Sequence, residues 1–115
     1  MPYNRTVTYP SGSVGAMPSV DLDPSIAPSD AVASVVLNGA ATATFSLQYT
    51  LDDFSSPLMT DAQATWFTSP DIPLGSTANV NAAFVVPVTR IRVVIAVALA
   101  GGTMTLRTLQ GLSIN

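Results

Sequence analysis

The acidic residues placed closely enough to act together are Asp52-Asp53 and the pair Asp21 and Asp23. Adjacent carboxylates are the raw material of a Ca²⁺ site or an acid–base dyad. Ca²⁺, however, gathers about six to eight oxygens, commonly from alternating positions of one loop. A glycosidase pair needs its carboxyls set apart across a cleft, one with a raised pKa. Neighbours at a strand end point in opposite directions, so Asp52-Asp53 reads as a turn with Asx hydrogen bonds. Asp21 and Asp23 flank Leu22 and share a face, with Asp30 downstream. Pro24 and Pro28 make a loop the simpler account there, and no metal site is expected.

Arg90 and Arg92 fall on one face of a strand, about 6.6 Å apart at the usual rise per residue. Such a pair can clamp a phosphate or carboxylate, line a solvated face, bridge to Asp, or meet a partner protein. Trp66, Phe67 and Tyr49 offer either a sugar-stacking platform or core; a single Trp in so small a chain reads as core or core edge. Ser and Thr are plentiful, but the chain contains no His, Cys, Lys or Glu. A hydroxyl without a base to activate it is inert. The same absence removes Ser-His-Asp and Cys-His triads, zinc and haem sites of the ordinary kind, Schiff bases and the P-loop lysine. No catalytic residue and no cofactor is expected, and the chain does not read as an enzyme.

The chain has 115 residues, one domain's worth, with a net charge of −3 and a pI near 4.2. Its cations, Arg5, Arg90, Arg92 and Arg107, are scattered, whereas nucleic-acid binders carry dense basic patches. The longest uncharged apolar run, Val93 to Ala100, is far short of the ~20 residues of a membrane helix. Residues 1–5 lead into a polar stretch instead of an apolar signal core, and the missing Cys fits a reducing cytosol. Neither nucleic acid nor membrane is expected as a partner.

These residues need elements to hold them, and the composition names the kind. Thirteen Thr and thirteen Val, punctuated by nine Pro and seven Gly, with the usual solvent-facing helix formers Lys and Glu missing, describe an all-β chain. Tyr3 to Tyr9 alternates, with Tyr3, Arg5, Val7 and Tyr9 on one side, and reads as a strand or extended arm. A loop follows at 10–15, and Met17 to Leu22 is a short strand. Ala31 to Leu37 is apolar and β-branched, and Asn38-Gly39 is the strongest short hairpin signal in the chain. Residues 42–51 keep strict period two, with Ala43, Phe45, Leu47, Tyr49 and Leu51 on one face. Residues 64–67 and 81–86 are further strands, the latter interrupted by Pro87. Thr89 to Leu99 sends Ile91, Val93, Ile95 and Val97 inward and Arg90 and Arg92 outward. A tight turn at 100–103 leads to a last strand over 103–110. The expected architecture is an antiparallel β-sandwich of jelly-roll type with seven to eight short strands. The N-terminal arm and loop span 1–16, and one domain spans 17–115.

Four segments in this order resemble small virion proteins of tailed double-stranded DNA bacteriophages. They are residues 44–53 (TFSLQYTLDD), 64–67 (ATWF), 84–92 (FVVPVTRIR) and 102–111 (GTMTLRTLQG). The resemblance covers about 31–111. It implies a capsid decoration or cement protein on the outside of the phage head, bridging neighbouring major capsid subunits, made in the host cytoplasm and without catalysis. It also implies a small homo-oligomer, with a trimer favoured over a dimer. The contacts expected to the shell or to other copies are Tyr3, Arg5, Val7, Tyr9, Arg90 and Arg92. Two alternatives stay open: a tail, fibre or head-fibre accessory touching host glycans through Trp66, and a carbohydrate-binding β-sandwich module.

Overall fold

The computed structural model describes residues 3–22, 31–52, 60–73, 75–84 and 88–110. Asp23, Asp30, Asp53 and Pro87 lie outside these. The strands are β1 (Tyr3–Tyr9), β2 (Gly15–Ala16), β3 (Val20–Asp21), β4 (Ala31–Thr50), β5 (Phe67–Thr68), β6 (Val80–Phe84) and β7 (Arg90–Gln110). No helix occurs among the described residues, so none is long and apolar enough to cross a membrane. The chain is all-β and every strand pairing is antiparallel, as its alternation and β-branched content require.

The strands form one seven-stranded sheet built on a long two-stranded ribbon, β4 against β7. Ala31 faces Gln110 at one end of this ribbon and Thr50 faces Arg90 at the other. The N-terminal segment runs along the free side of β7: β1 pairs with 104–110, β2 with 94–95 and β3 with 90–91. β5 and β6 line the free side of β4 in the same manner.

Two expected turns are not turns. Asn38-Gly39 and Gly101-Gly102 lie inside β4 and β7, so the four short strands expected over 31–51 and 89–110 are two strands of 20 and 21 residues. Asn38 pairs with Thr103 and Gly39 with Gly102, and the register then slips between Gly39 and Phe45. Gly39 and Gly101 have φ of 68° and 81°, the left-handed region that L side chains avoid. Both strands therefore bulge at the same level, and bulges bend a ribbon. A straight strand of β4's length would run about 65 Å, whereas the molecule's longest extent is 42 Å. The Tyr49 ring, near the Arg90 end, meets the Phe84 ring, at the Gln110 end, with centroids 5.4 Å apart. The sheet thus doubles over on itself, one continuous hydrogen-bonded sheet in place of two separate ones.

The fold closes around a single core. On β4 the inward residues are odd-numbered throughout: Ala31, Ala33 and Val35, then Ala43, Phe45 and Leu47. On β7 they are odd-numbered at Ile91, Val93, Ile95 and Leu99, with Val97 exposed, and even from Met104, because the bend absorbs one residue of slip. One-residue slips reverse which side chains face inward, so the bulge is what keeps Met104 and Leu106 in the same core as Ile91 and Val93. β1 belongs to this sheet too, with Tyr9 packed into the core opposite Met104, so the stretch expected as an arm is paired along the domain's own β7.

Candidate functional site

The outward face of the ribbon differs between its two ends. At the Arg90 end, strand alternation sends Arg90 and Arg92 outward. β3 places Asp21 opposite Arg90, and β4 places Gln48 opposite Arg92. The segment 60–66 lies over them. A turn closed by the Gln63 and Ala64 amides on the Thr60 carbonyl brings Asp61 onto the sheet. The Arg90 Nε meets Asp21 Oδ1 at 2.6 Å and its Nη1 meets Asp61 Oδ1 at 2.9 Å. The Ser19 hydroxyl and amide also donate to Asp61, at 2.8 and 3.3 Å. The Trp66 indole N–H donates to the Asp61 carbonyl at 2.8 Å, and the Arg92 guanidinium stacks 4.1 Å above the Trp66 ring while its Nε donates to Gln48.

Partial burial pushes the Asp61 carboxyl up, but the hydrogen bonds from Ser19 and Arg90 outweigh it and hold the pKa below the ordinary 3.8. Burial also lowers the Arg92 pKa, partly opposed by the Asp61 charge. These charges answer one another within the chain. The cluster is a clasp tying segment 60–66 to β3 and β7. Asp52 works alongside it: its amide donates to the Thr50 hydroxyl and its carboxylate accepts from the Thr65 amide, 13 residues away. Among the described residues no three carboxylates gather as a metal site would require.

Arg90 and Arg92 are thus brought together, but their known contacts are internal. Trp66 is not core: it lies half-buried on the outward face, with one ring face under Arg92, which disfavours a sugar platform. Asp61, the centre of the clasp, is missed by sequence reasoning. It stands in a polar loop with no local pattern, 29 residues before its partner Arg90. Of the expected β1 contacts, Arg5 is exposed and Val7 half-buried against the core. Tyr9 is 4% exposed, and its hydroxyl has no hydrogen-bond partner among the described residues. Burial raises its pKa to about 12. A core ring of this kind is no contact residue.

At the Gln110 end the outward face is different. Val32 stands opposite Leu109, Ser34 opposite Arg107 and Val36 opposite Thr105. β1 adds Thr6 and Thr8, and β6 adds Asn81 and Ala83. Val32 is 42% exposed and Leu109 44%. Side-chain bonds knit part of the face, with the Asn38 amide donating to the hydroxyls of Thr103 and Thr105 at 3.1 and 2.8 Å. Arg107 is its charged residue, exposed and without an ion pair among the described residues.

No family model matches the chain, and no curated protein matches it. Among solved structures, one similar chain is the IMPa metallopeptidase from Pseudomonas aeruginosa, at 20% identity and a TM-score of 0.46. The alignment covers 96% of this chain but only 12% of that one. Another comes from Bacillus endospore appendages, described as a family of disulfide-linked pili, at 10% identity and a TM-score of 0.40. There 98% of this chain and 88% of the other are covered. Neither likeness is close enough to carry an argument about this chain.

Proposed function

We propose that the chain is a decoration or cement protein of a bacteriophage head, docking on the outer surface of the shell and bridging major capsid subunits as a small oligomer. The observation that supports this reading is the uncovered outward face at the Gln110 end. Val32 and Leu109, exposed, with the half-buried Ser34 and Val36 beside them, form a nearly uncharged surface on four paired strands. Short hydroxyl and aliphatic side chains lose little hydration on burial against protein, whereas a charge-covered face would lose a great deal. Arg107 in its midst supplies one orienting contact to a partner's carboxylate. The chain's lack of His, Cys, Lys and Glu points the same way, toward a working surface in place of a reaction centre.

Stoichiometric binding to purified expanded heads tests the reading. The wild-type chain is expected to saturate at a fixed ratio to the major capsid protein and to give no hits on a glycan array. Leu109→Lys is expected to abolish head binding while the variant melts like the wild type. Glycan binding without head binding would reject the proposal.

A further inference from the structure

Segment 60–66 is held onto the sheet by side chains. Its backbone–backbone hydrogen bonds, from the Gln63 and Ala64 amides to the Thr60 carbonyl, are internal, and none joins it to a strand among the described residues. Its ties are the Asp61 carboxylate, the Trp66 ring under Arg92 and the Thr65 amide on Asp52. Thr60, Ala62, Gln63 and Thr65 are exposed along its outer side. A stretch with so few buried contacts opens more readily than the strands beneath it.

Under Asp61 lies a seat built by other elements. The Ser19 hydroxyl and the Arg90 Nη1 donate to one carboxylate oxygen, at 2.8 and 2.9 Å, and the Ser19 amide donates to the other at 3.3 Å. None of these donors belongs to the segment they hold. Ser19 leads into β3, which pairs with β7, and Asp21 fixes the Arg90 guanidinium through Nε at 2.6 Å. Loss of Asp61 therefore leaves three donors directed at one point. We infer that this seat is a carboxylate-binding site which the chain closes with its own Asp61, and that a carboxylate from outside takes that place when segment 60–66 lifts.

The class of ligand follows from charge and shape. The seat offers one cation, Arg90, already paired with Asp21, in a chain of net charge −3. It suits a single negative charge and not a phosphate dianion. A planar carboxylate satisfies all three donors, with one oxygen for the guanidinium and hydroxyl and the other for the amide. The Asp61 side chain is 34% exposed, so its bridge is weak. What keeps it seated is chiefly its tether, equivalent to a local concentration in the millimolar range. A competitor must reach a similar concentration, either as a free acid or as a side chain on a docked protein. Nothing in this depends on what the Gln110 end binds.

Acetate is the probe for a free acid. Asp61→Ala, which vacates the seat, is expected to melt about 5 °C higher in acetate at ~10 times its half-saturating concentration than in chloride of equal ionic strength. Asp61→Ser, a second shortening that keeps the segment polar, should respond alike. The wild type, its seat filled, should melt equally in both salts, and Asp61→Ala combined with Arg90→Ala should lose the response. For a side chain on another molecule, the probe is a peptide of residues 60–66 (TDAQATW). Its Trp fluorescence is read against Asp61→Ala combined with Trp66→Ala, a variant without Trp of its own. This peptide should bind ~10-fold tighter than the same peptide with Asn in place of Asp, the margin of charged over neutral hydrogen bonds. Equal melting of both single variants in acetate and chloride, or a response that survives Arg90→Ala, would overturn the inference. An acetate response with equal binding of the two peptides would assign the seat to free acids.

Discussion

At the Arg90 end of the β4–β7 ribbon the outward side chains are charged and tied down; at the Gln110 end they are short, nearly neutral and uncovered. The strands underneath are the same two, and both ends line one core. What separates them is segment 60–66, which Asp61 fastens over Arg90 while Trp66 lies under Arg92. Among the described residues, the ion pairs with known partners lie where a loop is held, and Arg107 is the charge on the other face. A charge-poor β surface is therefore a local property of one end. The overall count of charged residues does not describe it.

The bend that makes two ends out of one ribbon offers the largest test. A Cβ on Gly102 would overlap the carbonyl oxygen of Asn38, whereas one on Gly39 meets open space. Gly102→Ala is expected to cost about 3 kcal/mol, as overpacking against rigid backbone does. Gly39→Ala should cost about 1 kcal/mol, the penalty for a left-handed residue. Urea unfolding measures both, and equal losses would mean the bend does not depend on the close Gly102–Asn38 approach.

The two ends should also fail at opposite extremes of pH. Tyr9, at the uncovered end, has a pKa raised to about 12. Folding favours its neutral form, so its contribution is intact below the ordinary value near 10 and is lost as pH rises toward 12. Tyr9→Phe, which removes an unpartnered buried hydroxyl, is expected to abolish that alkaline loss of about 2 kcal/mol, read from melting curves between pH 9 and 12. Asp61, at the clasped end, has a lowered pKa, so its contribution is present above the ordinary carboxylate value and vanishes as pH falls through the folded one. Arg90→Ala should cost about 1 kcal/mol at neutral pH and less once Asp61 is protonated, when only its contact with Asp21 is left, since partly exposed ion pairs are worth no more than that. Trp66 fluorescence would report the loosened clasp. The smallest change in stability is expected from Leu109→Lys, within about 0.5 kcal/mol because the site is exposed, even as binding through that face is lost.

Period two over 42–51 and 91–97 identified both strands and most of their inward residues, because alternation is a local property, but Leu51 and Val97, expected inward, are exposed. The bend was not legible, because Asn38-Gly39 and Gly101-Gly102 carry the same local signal whether the chain reverses or merely bulges. Only the pairing of Gly39 with Gly102 distinguishes the two, and that pairing is long-range. Asp61 was hidden for the same reason: its meaning lies in an Arg far along the chain. Trp66 was read as core or core edge because large apolar side chains usually are; it is half-buried, with a guanidinium and a backbone carbonyl as its partners on the outward face. Asp52 was read as a turn residue, but the carboxylate's backbone partner, the Thr65 amide, lies 13 residues away and was not legible locally.

The position of β7 has a consequence in time. β1, β2, β3 and β4 all pair with β7, the last strand of the seven. During synthesis β1, β2 and β3 have no described sheet neighbour until β7 is made, and β4 has only β5 and β6. Thr50 must then find Arg90, and Ala31 must find Gln110, pairings whose loop-closure entropy is lost before any contact compensates it. The domain should therefore fold late and slowly, in milliseconds to seconds. The side of β4 that pairs with β7 stays open in the interval, the condition under which edge-to-edge aggregation competes with folding.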